Sequence, residues 1–124
     1  MFMEIAQGYE KEPAPFTPYA PVADRTAWDN LDAEWREKSL TLGESFLGYE
    51  FPRIYATDFM DFCRTGNRVR YEDRFFARRY ALNALTLAEC IEDQGRFLDD
   101  IINAVFVLCE ESGRQLPPHN TYVR

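Results

Sequence analysis

A chain of 124 residues has room for one hydrophobic core, and its apolar and charged fractions are those of an ordinary globular protein. A net charge of −7 and a pI near 4.7 deny it the basic surface that general nucleic-acid or anionic-membrane binding requires. No signal-peptide core and no apolar run long enough to span a bilayer occurs, so the cytoplasm is the expected setting.

Residues 1–23 carry Pro13, Pro15, Pro18 and Pro21 with Phe16 and Tyr19 interleaved. Prolines at that density forbid helix, and the aromatics predict an extended arm laid against the body; the alternative is a disordered leader. Residues 24–124 read as a helical segment. A helix is expected from Asp24 or Thr26, with Thr26 and Asp29 as a loose capping box and Trp28, Leu31, Trp35 and Leu42 in a broken helical period. Glu34 and Lys38 support it at i,i+4, and Gly43 or Gly48 ends it. Phe51-Pro52 marks an extended connection, because a residue before proline avoids the helical region. Thr57 is the expected N-cap of a short helix through Phe59, Met60, Phe62 and Cys63, closed by Gly66.

A long helical hairpin follows. Its first arm runs over residues 68–93 and stops before a C′ glycine at Gly95; its second runs over residues 98–112 to Gly113, with Asp99 and Asp100 in the first turn. Between Ile101 and Cys109 only Asn103 is polar, and between Tyr80 and Ile91 the polar residues form a narrow stripe through Arg79, Asn83, Thr86 and Glu89. Helices apolar nearly all round belong in an interior. The fold class is therefore all-α, with about four helices, and the chain has few neighbours to offer its own hairpin.

Arg70, Arg74 and Arg78 recur at i,i+4,i+8, a like-charge spacing that costs a helix about 0.2–0.5 kcal/mol per pair. Asp73 can relieve Arg70. Glu110 and Glu111 have the opposite defect at the C-terminal end of the second arm, where the helix dipole disfavours anions. Folding the hairpin about Gln94 and Gly95 removes both defects by bringing Arg78 or Arg79 to Glu110 or Glu111 as a structural ion pair. A substrate-facing role and plain solvent exposure are the alternatives for the glutamates.

Beyond Gly113, Pro117 and Pro118 stiffen the backbone before His119 and Asn120, with Tyr122 nearby. A histidine beside an amide can serve acid–base chemistry or bind a uronate, or the pair can simply form an exposed turn. Cys63, Cys90 and Cys109 are too widely spaced for a zinc site and only one histidine is present; Cys90 and Cys109 read as buried reduced thiols. No phosphate loop, nucleophile elbow, metal site or cofactor motif appears, and the residues assign no catalytic group.

Three strings carry a resemblance: Arg68-Val69-Arg70-Tyr71-Glu72-Asp73-Arg74-Phe75-Phe76-Ala77-Arg78-Arg79-Tyr80, residues 87–103, and Cys109-Glu110-Glu111-Ser112 followed by Leu116-Pro117-Pro118-His119-Asn120. Together they resemble the N-terminal helical part of heparinase II/III-like polysaccharide lyases, from about Trp28 onward. The chain departs from that pattern at Arg114, where an aromatic is expected, and at Val105-Phe106, where a small residue and a tryptophan are expected. The resemblance implies the opening helices of an incomplete α/α toroid, in a family that cleaves acidic polysaccharides by β-elimination. It also implies that the family's catalytic base lies beyond this segment, that the segment alone is not catalytic, and that Glu111, His119 and Asn120 sit at or behind a substrate groove. An acidic polysaccharide would then be the partner of a longer or split protein. The rival expectation is a stand-alone helical interaction module or homo-oligomer that buries its hairpin against another surface.

Overall fold

The computed structural model describes residues 19–119, and within them the chain is all-α, with no strand. Five helices follow in order: α1 (Arg25–Asp29), α2 (Ala33–Glu44), α3 (Ala56–Thr65), α4 (Val69–Glu92) and α5 (Leu98–Cys109), with a 3-10 turn at Pro117–His119. Residues 1–18 of the expected arm, together with Asn120 and Tyr122, lie outside the described residues.

The 24-residue α4 is the axis of the structure. On one flank α2 crosses it at Gly43, where a Cβ would stand 2.3 Å from Ala88 Cβ and 3.2 Å from the Ala84 carbonyl oxygen. Only a residue without a side chain allows that approach. On the other flank α5 returns antiparallel, and the core forms where the three helices meet: Leu85, Ala88 and Phe97 are fully buried, with Leu40, Phe46 and Ile101 packed around them. A ladder of edge-to-face rings, Phe46 to Tyr49 to Phe51, then leads the chain away from the core toward α3.

The single helix expected from Asp24 or Thr26 to Gly43 or Gly48 is broken in two. Asn30 Nδ2 donates to the Thr26 carbonyl oxygen, and the Asp32 carboxylate accepts the Trp35 N–H at 3.0 Å, restarting the helix as an N-cap. The Thr26–Asp29 capping box does not form; Asp29 pairs with Arg25 instead. Lys38 and Glu34 do pair, 2.5 Å apart. The N-cap of α3 is Tyr55 and not Thr57: Asp58, in the first turn, reaches back to the Tyr55 N–H.

The turn between α4 and α5 is closed by charge. Asp93 adopts the left-handed conformation (φ 56°) two residues before the glycine expected to end the arm, and Gly95 itself follows with φ 79°. Arg25 donates to the Cys90 and Ile91 carbonyls at 2.8 Å each, covering the negative end of α4. Glu89, expected in the polar stripe, is buried, and its two carboxylate oxygens accept the Gly95 and Phe97 N–H groups.

The hairpin departs from the interior rods expected of it. α5 stops at Cys109, so Glu110 and Glu111 lie past its last turn, and Ala104 is its one buried residue. Leu98 (47% exposed), Ile102 (62%), Val105 (45%) and Phe106 (65%) face solvent, as do Phe76 and Tyr80 on α4. The reason is geometric: α4 covers one side of α5, the Gly48 N–H touches it through Asp100, and no other described helix reaches the far side. Cys109 is likewise exposed, contrary to expectation, whereas Cys90 is half-buried; burial first, then Glu89, push its thiol up and keep it protonated. No described helix is long and apolar enough to cross a membrane.

Candidate functional site

The arginine stripe of α4 is neutralised from outside its own helix. Folding the chain about Gly66 (φ 77°) sets α3 antiparallel to the start of α4, which brings Asp61 to Arg70, 3.1 Å apart, and Asp58 to Arg74. Asp73, expected to relieve Arg70, is exposed and makes no ion pair among the described residues. Arg68 pairs with Glu72 one turn on.

Asp58 does two jobs, capping α3 and holding it to α4. Burial, the largest influence on its carboxyl, favours the neutral form; the Tyr55 N–H and the Arg74 guanidinium, with Arg70 further off, outweigh it and hold the carboxyl below the ordinary aspartate value. A group that is a stronger acid when folded stabilises the fold fully above the ordinary value, near pH 4, and loses that contribution as pH falls through its lower folded value. Asp58→Asn should therefore cost about 1.5–3 kcal/mol at pH 7, the usual worth of a hydrogen bond to a charged group. Urea titrations should find the difference from the parent shrinking between pH 4 and the acid limit, and a constant difference would contradict this role.

At the next turns of α4 the pattern converges on one carboxylate. Arg79 grips Glu111 with two nitrogens, Nη1 to Oε1 at 3.1 Å and Nη2 to Oε2 at 2.6 Å, while Arg78 Nη1 reaches Oε1 at 3.3 Å. The Glu111 side chain is only 3% exposed and that of Arg78 11%. Arg78 also donates twice to the Pro52 carbonyl, at 2.8 and 2.6 Å, and the Arg79 guanidinium lies over the Phe75 ring. Arg78 thus ties three stretches of chain together: its own helix α4, the connection before α3 through Pro52, and the coil after α5 through Glu111.

Arg78 and Glu111 line a cleft of about 740 Å³ between α3 and the coil after α5. Phe51, Tyr55, Phe59, Met60 and Tyr71 supply apolar walls, and the exposed Arg53 lines it as well. Tyr71 meets Phe59 edge to face and donates weakly, at 3.4 Å, to the Gly113 carbonyl. Burial first, then Glu111, push the Tyr71 phenol up, against the opposing pull of Arg79 and Arg78, so it stays protonated.

Of the residues singled out from sequence, Glu111, Arg78 and Arg79 come together. Glu110 lines the cleft but is exposed, with no ion pair among the described residues. His119 ends the 3-10 turn packed against α3; it is exposed and does not line the cleft, and Asn120 lies outside the described residues. Sequence reasoning overlooked Asp58 and Asp61. The signal was there: two acids three apart before Gly66 mirror two arginines four apart after it. No group of histidine, cysteine or acidic side chains among the described residues is placed to hold a metal. The chain matches no protein-family model and no curated protein.

Proposed function

We propose that this chain is a helical assembly module whose joint is the outward face of α5. The observation that carries the reading is the row of Leu98, Ile102, Val105 and Phe106, each close to half exposed or more, on a helix whose sequence is almost wholly apolar. A contiguous apolar surface of this kind marks a place where another surface docks.

The resemblance to heparinase II/III-like lyases is a particular form of the same proposal. In that form the joint receives further toroid helices, and the cleft over Arg78 and Glu111, with Arg53 beside it, lies toward an acidic polysaccharide. The antiparallel hairpin of α4 and α5, flanked by α2 and open on its far side, is the feature that favours it. The module is proposed to be catalytically silent by itself: Glu111 is committed to two guanidiniums and Tyr71 holds its proton. Release of unsaturated uronates from heparin, alginate or chondroitin by the purified chain would overturn that.

Ile102→Glu tests the joint. The side chain is 62% exposed, so the variant should keep the thermal stability of the dilute monomer to within about 0.5 kcal/mol. The parent should either associate or bind a hydrophobic dye, and the variant should do neither. A parent that does neither has no joint on α5.

A further inference from the structure

We infer that the occupant of the α5 joint is a second copy of this chain, packed antiparallel about a two-fold axis that passes α5 at the level of Asn103 and Ala104. The inference rests on the assembly reading above and narrows it to one partner.

Leu98, Ile102, Val105 and Cys109 succeed one another at intervals of four, three and four residues, the spacing that keeps side chains on one helix–helix seam. All four are exposed. The series also reads the same from both ends. Laid antiparallel on itself, α5 sets Leu98 against Cys109 of the partner subunit and Ile102 against Val105 of the partner subunit, and the same pairs recur across the axis. An isologous interface requires this self-complementarity.

The helix dipoles select the antiparallel sense. A parallel pairing would place the acidic first turn, Asp99 and Asp100, beside its own copy and align the two helix dipoles. The antiparallel pairing opposes the dipoles and keeps the two acidic first turns apart, although it sets the exposed Glu110 of the partner subunit toward each of them, a repulsion that salt screens. The area fits as well. Two-fold dimers hide about 800 Å² per partner, somewhat over half of it apolar. The seam residues with the flanking Phe106 offer on the order of 400 Å² of apolar surface, the core of such a footprint. Because each copy carries a net charge of −7, added salt should favour the dimer by screening repulsion.

The arrangement is tested by Leu98→Cys in a Cys63→Ser background, oxidised gently and compared with the Cys63→Ser parent. A disulfide needs Cα atoms within about 7 Å, a condition met between positions 98 and 109 across an antiparallel seam and not between the two copies of Cys109. The expected result is at least a roughly ten-fold gain in covalent dimer over the parent, with peptide mapping that finds the 98–109 link. Cys109 joined to Cys109 in the parent would mean a parallel seam and overturn the proposal, as would a dimer with neither link. Light scattering on the unmodified chain gives the second readout. A monomer at every concentration and salt overturns the second copy as partner; if that monomer still binds dye in an Ile102-dependent way, the joint stands with another occupant.

Discussion

Glu111→Ala should destabilise the fold by about 3–5 kcal/mol, the usual cost of deleting one partner from a buried ion pair. The size follows from what is left behind. Arg78, 11% exposed at its side chain, would keep its charge and its two bonds to the Pro52 carbonyl, but would face no anion. Arg79, 30% exposed, can swing toward water, so Arg79→Leu should cost less, about 1–2 kcal/mol. Exchanging the charges of Arg79 and Glu111 should not restore stability, because an arginine at 111 would then meet Arg78. Denaturant titration of the three variants checks the ordering; a Glu111→Ala loss no larger than that of Arg79→Leu would mean that the carboxylate is not the tie that its burial implies.

Gly43→Ala carries the second large effect, and its cause is steric. A methyl group at that position would meet Ala88 Cβ at 2.3 Å and the Ala84 carbonyl oxygen at 3.2 Å. Neither neighbour is the end of a flexible side chain, so α2 and α4 must move apart along their whole crossing. Overpacking of this kind costs about 1–3 kcal/mol, and it overrides the roughly 1 kcal/mol by which alanine is the better helix former. The separation would also loosen Phe97 and Leu85, which the same crossing covers. A compensating Ala88→Gly in the same chain should recover part of the loss. Thermal unfolding of the single and double variants checks this, and a Gly43→Ala protein as stable as the parent would show that the two helices do not meet there.

The all-α class, the long hairpin and the glycine-terminated α3 were legible in the residues, because helical period and turn chemistry are local properties. The level placement of Arg78 and Arg79 with Glu111 follows from folding the hairpin at its turn, and the same arithmetic about Gly66 yields Asp58 and Asp61. The rest depended on competition that a period does not record. The break at Asn30 arises because short polar side chains offer the backbone alternative partners. Glu89 reads as surface by period, yet the bare N–H groups of the next helix draw it inward. The exposure of α5 was the hardest feature to foresee, since an apolar helix states that it wants cover and not whether the cover is at hand.

The attachment of α3 has a consequence for the cleft. The one residue this helix buries is a carboxylate, and beyond the contact of Phe59 with Tyr71 it is moored to α4 by Asp58 and Asp61. A helix moored in this way detaches at lower free-energy cost than one seated in a core. Acid that protonates Asp58 should therefore loosen α3 from α4, leaving its contact with the 3-10 turn, and widen the cavity whose wall it forms.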